Sequence, residues 1–139
     1  MYLLDTNVVS ELGRPNRVDP NVSRWARNIP SSRFFLSAIS LTEIEVGVLR
    51  MERRDPRQGA VLRYWLERSI LTSFSSRILP VDERVARRCA RLHVPDPRPI
   101  YDALIAATAL VNGLVLVTQN LGDFASTGVE LVNPWVVDL

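Results

Sequence analysis

The 139-residue chain has no lysine: all 17 of its basic residues are arginine. A Walker-type phosphate loop needs its lysine on the phosphates, so the absence argues against nucleotide hydrolysis of that kind. It argues equally against phosphotransferases that pair a strand-end acid with a nearby lysine. Cysteine and histidine occur once each, as Cys89 and His93. An internal disulfide, a cysteine-histidine zinc cage and a pair of catalytic histidines are thereby ruled out. Cys89 falls on the apolar side of a predicted helix and His93 at its end, which reads as packing or surface for both. Also missing is any apolar run near the ~20 residues of a membrane span. The opening Met1-Tyr2-Leu3-Leu4-Asp5 lacks the basic region of a secretory signal. The expectation is a soluble, cytoplasmic protein with no membrane contact.

Apolar residues make up 47% of the chain and charged residues 23%. That length and composition suit one domain over residues 1–139, with roughly two thirds of its unfolded surface buried. A net charge of +2 and a pI near 9.2 are compatible with a polyanionic partner but decide nothing.

Strand and helix patterns alternate along the chain. Residues 1–4 read as a buried strand, and Thr6–Leu12 as a short helix running into the breaker loop 13–18. Asp19 and Pro20 are cap and first-turn residues of a helix whose apolar face is Val22, Trp25, Ala26 and Ile29, ending at Pro30. A second strand follows at 33–37 and a helix at about 40–54. After a break at 55–59, a further helix places Val61, Leu62, Trp65 and Leu66 on one face. Residues 78–81 form a third strand, whose Pro80 predicts an edge position or the strand's end. Asp82 can cap the next helix, with Val85, Cys89 and Leu92 facing inward. A rigid proline loop at 95–99 leads to an alanine-rich helix over 101–112, stopped by Gly113 in the left-handed conformation. Residues 114–118 and 129–132 complete five strands. Near-continuous apolar strands between helices predict an α/β fold, a parallel sheet covered on both faces.

Four acids sit where such a chain ends a strand or begins a helix. Asp5 ends the first strand, and Asp123 lies a few residues past the run Leu114-Val115-Leu116-Val117. Open parallel sheets bind ligands at those carboxyl ends. Asp102 opens the alanine-rich helix, where dipole compensation alone would also explain it. Glu43 completes the capping-box pattern Ser40-Leu41-Thr42-Glu43, and that stretch by itself reads as a cap. Glu45 competes with it from another side of the helix, directed toward solvent. Asn120 and Asp123 are spaced for one helical turn, either as site residues or as turn caps, and Thr118 adds a hydroxyl. Asp19, Asp55, Asp82, Asp96 and Asp138 read as solvated loop, cap or tail residues.

Taken together, these stretches resemble the PIN-domain ribonucleases, specifically the VapC-like toxins of bacterial toxin-antitoxin pairs. The similarity is carried by Tyr2-Leu3-Leu4-Asp5-Thr6-Asn7, by 40–48 around Glu43, by 102–109 after Asp102, and by 116–124 ending in Asp123-Phe124. It implies a three-layer α/β/α domain with a central parallel sheet of about five strands. It also implies that Asp5, Glu43, Asp102 and Asp123 are catalytic acids, with Asp5, Asp102 and Asp123 as metal ligands. Thr6, Thr118 and Asn120 are implied as supporting polar groups. On this resemblance Glu43 belongs to the site and is not merely a cap. Gln119 departs from the family, which often carries arginine or an acid there.

Carboxylates without histidine or thiolate form a hard oxygen site, suited to Mg²⁺ or Mn²⁺. The resulting expectation is an endoribonuclease that cuts RNA phosphodiesters by in-line attack of metal-activated water. Resemblance further implies a homodimer and a cognate antitoxin whose tail lies in a groove near the acids. Arginine is a planar, bidentate phosphate donor. Arg84, Arg87, Arg88 and Arg91 form a stripe, and Arg50, Arg53, Arg54 and Arg57 a cluster. Either group reads equally as an RNA or partner contact and as a solvated helix face. Two alternatives stand beside the ribonuclease: a non-catalytic PIN-like module binding RNA or protein, and a structure-specific DNA nuclease, whose usual helical arch or basic insertion the chain lacks.

Overall fold

A computed structural model describes residues 1–14 and 16–136. Part of the predicted loop 13–18, Pro15, and the tail residue Asp138 lie outside the described residues. The elements are β1 (Tyr2–Leu4), α1 (Thr6–Leu12), α2 (Pro20–Arg27), a 3-10 turn (Ser31–Arg33), β2 (Phe34–Ser37), α3 (Ala38–Arg54) and α4 (Pro56–Trp65). A π-helical turn (Leu66–Ile70), α5 (Leu71–Ser73), β3 (Ile78–Leu79), α6 (Glu83–Leu92), α7 (Ile100–Asn112), β4 (Val115–Val117), α8 (Leu121–Phe124) and β5 (Leu131–Val132) follow.

All four strand pairings are parallel, in the order β3-β2-β1-β4-β5. The α/β reading holds, and β3 is an edge strand as Pro80 predicted. Both outer strands are shorter than expected, two residues each. Successive residues alternate between faces. Leu3 and Leu116 enter one core with α6, α7 and α8, while Leu4 and Val117 enter the other with α1 to α4. The chain leaves β1 for β2 and β3 on one side and returns to β4 and β5 on the other. The crossover point therefore lies between the carboxyl ends of β1 and β4, where open α/β sheets form their ligand crevice.

Local chemistry explains most element ends. Asp19, Asp55 and Asp82 each accept a hydrogen bond from a backbone N–H in the following first turn. They are caps. Gly113 ends α7 at φ +65°, a conformation that costs an L side chain energy. Gly59 has another purpose: a Cβ there would stand 2.3 Å from Glu52 Cα, so only glycine lets α4 lie this close to α3.

Three sequence expectations are corrected. Helix α3 begins at Ala38, two residues before Ser40, because β2 runs straight into it and the buried Ser37 hydroxyl accepts from Ser40 N–H at 2.9 Å. Val61 is exposed; Leu66 is buried and Leu62 and Trp65 are half-buried, so the expected face stands without Val61. Glu45 is not a free solvated acid. Arg63 on α4 donates to it at 2.9 Å and to Glu52 at 3.0 Å, which ties the two helices together. Cys89 is buried and the His93 ring accepts from Arg98 N–H, so both are structural, as expected.

Candidate active site

Asp5 follows β1 directly and caps α1, and its carboxylate is 7% exposed. Oδ1 accepts from Thr6 N–H at 2.8 Å and Oδ2 accepts from the Thr118 hydroxyl at 2.8 Å. Thr118 follows β4, so the strand order alone brings it beside Asp5. The same hydroxyl accepts from Asn120 N–H at 3.0 Å. From the other side, the Thr6 hydroxyl donates to Glu43 Oε1 at 2.7 Å. One network thus runs from Glu43 through Thr6, Asp5 and Thr118 to the Asn120 backbone. Asn7, the last residue of the Tyr2–Asn7 stretch, lies at its edge with its side-chain N 3.5 Å from the Thr118 hydroxyl.

Glu43 is therefore no capping-box residue. With α3 starting at Ala38 it lies in the second turn, too far along to reach the Ser37 cap, and it turns to α1 instead. Asp102 is half-buried in the first turn of α7. Asp123 is exposed on α8, and Asn120 precedes that helix without any side-chain capping bond. The reading of this pair as mere turn caps loses its support.

The acids feel one another. Burial, more than anything else, pushes the Asp5 carboxyl above the usual aspartate range. Hydrogen bonds from Thr118 and Thr6 oppose the shift, and the charges of Glu43 and Asp123 add to it. Asp102 is raised too, first by burial and then by Asp123 and Asp5. Among the described residues no arginine pairs with any of the four. An all-oxygen donor set with excess negative charge fits a hard divalent cation. No three of the described His, Cys, Asp or Glu side chains stand close enough to enclose a bare ion. The ring is suited to a cation that keeps several of its waters, as Mg²⁺ does.

A groove of about 830 Å³ opens from Thr6 and Glu43 and runs between α1, α3 and α4, past Leu12, Ile44, Val48 and Trp65, to Phe74. Its lining is mainly apolar. The arginine groups lie elsewhere. Arg84, Arg87 and Arg91 are exposed and Arg88 is half-exposed along α6, a stripe of about 10 Å at ~1.5 Å per residue. An Arg84 nitrogen donates to the carbonyl of Val111 near the end of α7, and Arg98 Nε donates to Leu92 O just before α7 begins. The two helices therefore run antiparallel, with Arg91 toward the end that holds Asp102. The cluster Arg50, Arg53, Arg54 and Arg57 sits at the carboxyl end of α3, far from the strand ends where α3 starts.

A PIN-domain model matches residues 2–129 of the chain. Toxin FitB of Neisseria gonorrhoeae is 38% identical over 97% of this chain and 99% of its own. VapC ribonuclease Y4jK of Sinorhizobium fredii is 31% identical over 97% of this chain and 98% of its own. The crystal structure of FitAcB from Neisseria gonorrhoeae superposes with a TM-score of 0.89 at 36% identity, covering 99% of this chain and 100% of that one.

Proposed function

Because the chain belongs to the PIN-domain family, we propose that it is an endoribonuclease toxin of the VapC type, dependent on Mg²⁺ or Mn²⁺ and restrained by a cognate antitoxin. The observation that carries this reading is the buried Asp5 at the sheet's crossover point, linked through Thr6 to Glu43 and repelled by Glu43 and Asp123, with no ion-pair partner among the described residues. Asp5, Asp102 and Asp123 are the residues that would hold the metal. When bound, the cation supplies Lewis acidity that makes water nucleophilic near neutral pH and offsets charge developing on the phosphodiester.

The chain's own residues do the rest. Thr118 and the Thr6 backbone fix both oxygens of Asp5, and each oxygen keeps acceptor capacity for a further partner. Thr6 orients Glu43, the acid placed to accept a proton as water attacks. The α7 N-terminus brings Asp102 to the same rim and contributes positive dipole there.

The apolar groove beginning at Glu43 supports the antitoxin reading, since an amphipathic segment laid along α1, α3 and α4 would end beside the acids. A homodimer and a cytoplasmic location belong to the same proposal. No helix among the described residues is long and apolar enough to cross a membrane.

Asp5→Asn and Asp102→Asn each remove ligand charge with little change in volume. On total cellular RNA, wild type should cut with Mg²⁺ or Mn²⁺ and stop in chelator, and either variant should lose at least about a hundredfold. That exceeds the ~10- to 100-fold cost of losing an outer-shell partner of a metal ligand. Chelator-indifferent RNA binding without cleavage would instead establish the non-catalytic module, a reading favoured by the role of Asp5 as the α1 cap.

A further inference from the structure

A second cavity, of about 460 Å³, is lined by Asn7, Ser10, Glu11, Arg14, Gln119 and Trp135. Its volume falls within the ~300–1,000 Å³ typical of small-ligand sites. It adjoins the acids: Asn7 reaches toward the hydroxyl of Thr118 that holds Asp5, and Gln119 is the next residue in the chain.

The lining has a definite chemistry. Trp135 is half-buried, and its backbone is fixed at both ends. Its N–H donates to Asn133 Oδ1 at 2.9 Å and its carbonyl accepts from Asn21 Nδ2 at 2.9 Å. The indole is held by partial packing against the core around Leu4, Val8 and Phe34, and the residue also lines the cavity. Gln119 lines the cavity and is exposed, and among the described residues its side-chain amide makes no hydrogen bond, which leaves it a donor and an acceptor to offer a ligand. Arg14 and Glu11 pair at 3.4 Å and cancel each other's charge, while Glu11 also accepts from Asp19 N–H at 3.3 Å. A neutral pocket with one aromatic face and a free amide is poorly made for phosphate and well made for a base.

We propose that this pocket receives one unpaired RNA base flanking the cleaved bond, stacked on Trp135 and read along its hydrogen-bonding edge by the Gln119 amide. The site then sets which sequence is cut. An amide both donates and accepts, so it distinguishes bases that a purely apolar slot would admit alike. The inference rests on the ribonuclease reading for its consequence, although base binding itself does not require cleavage.

Two measurements separate the pocket from the enzyme. In the first, wild type and Gln119→Ala digest a randomised single-stranded RNA pool with Mn²⁺, and the cut ends are sequenced. The variant should lose base preference at one position next to the cut while still cleaving, and an unchanged preference overturns the proposal. In the second, Asp5→Asn protein is titrated with homopolymeric RNA oligonucleotides while tryptophan fluorescence is followed. One base should quench the signal with about tenfold tighter apparent binding than the weakest, in line with the worth of an edge hydrogen bond to the Gln119 amide. The quench should vanish in Asp5→Asn/Trp135→Phe, which keeps an aromatic ring and the fold. If wild type cuts no RNA and this quench persists, the ribonuclease reading fails and the pocket stands. If wild type cuts but the same quench survives the loss of Trp135, the pocket assignment fails alone.

Discussion

Two groups of carboxylates are gathered at different places in this protein, and they are completed differently. Between α3 and α4, Glu45, Glu52 and Glu67 surround Arg63 at 2.9, 3.0 and 3.4 Å. At the ends of β1 and β4, Asp5, Glu43, Asp102 and Asp123 gather with hydroxyls, and among the described residues no arginine pairs with them. The first group shares one internal cation, and Arg63 pulls Glu52 below the usual glutamate range through its hydrogen bonds. In the second, burial first and the neighbouring acids after it push Asp5 and Asp102 in the opposite direction. An internal cation makes a cluster of acids into a fastening, whereas acids collected without one repel each other until a cation arrives from outside. Glu43 and Glu45 show how sharply the two divide, being two residues apart on one helix.

The largest break in this comparison comes from those two glutamates. Glu43→Gln keeps the size and a hydrogen-bond acceptor for Thr6 but removes the charge. It should fold normally and lose roughly 10²- to 10⁴-fold in cleavage rate, the range of general acid-base contributions. Glu45→Gln should do the reverse, with cleavage near wild type and a lower thermal midpoint. Steady-state RNA cleavage and thermal melts on both proteins measure it. Wild-type cleavage by Glu43→Gln, or its loss in Glu45→Gln, would exchange the roles.

The clusters should also titrate with opposite sign. Asp5 and Asp102 have folded values above their unfolded ones, so the folded chain binds more protons. Their unfavourable contribution is absent below the unfolded value and complete once pH exceeds the raised one. Glu52 is lowered, so its favourable contribution is present above its unfolded value and lost as pH falls through the depressed one. Added Mn²⁺ should accordingly raise the thermal midpoint more at pH 7 than at pH 5, and hardly at all in Asp5→Asn. At saturation about a hundred times above Kd the gain is ~2.7 kcal/mol. Without metal, Asp5→Asn should be at least as stable as wild type at pH 7, whereas Arg63→Gln should melt lower because three acids lose their shared partner. Calorimetry at the two pH values with and without Mn²⁺ checks both signs.

The smallest effect is expected from the stripe on α6. If Arg84, Arg87, Arg88 and Arg91 hold RNA phosphates, changing Arg87 and Arg91 to glutamine should flatten the salt dependence of RNA binding, by a slope of roughly one for each phosphate no longer neutralised. KM should rise with kcat retained, because the acids are untouched. An unchanged salt slope in the folded double variant would return the stripe to a solvated face.

Much of this was legible from residue order. The caps at Asp19 and Asp82, the stop at Gly113 and the edge position signalled by Pro80 all appear where short-range chemistry puts them. Asp5 could be marked as a strand-end acid from the four residues before it. Glu43 was misread locally for a specific reason: Ser40 and Ser37 are both plausible caps, and only the direct passage of β2 into α3 selects Ser37. The pocket at Trp135 escaped notice because it joins residues from opposite ends of the chain. The single available signal was an aromatic residue near the carboxyl terminus with no obvious helical or strand partner.

What the sequence by itself determined was the set of elements and the chemical type of the site. Capping, periodicity and turn formation act over a few residues, and a composition without lysine and with one cysteine and one histidine narrows the chemistry by itself. What only tertiary structure decided was who meets whom. Thr6 reaches Glu43 across 37 residues and Thr118 reaches Asp5 across 113, distances over which local propensity carries no information. Placing β1 between β2 and β4 makes those meetings, and packing α4 against α3 at Gly59 gives Glu45 to Arg63 while leaving Glu43 at the crevice.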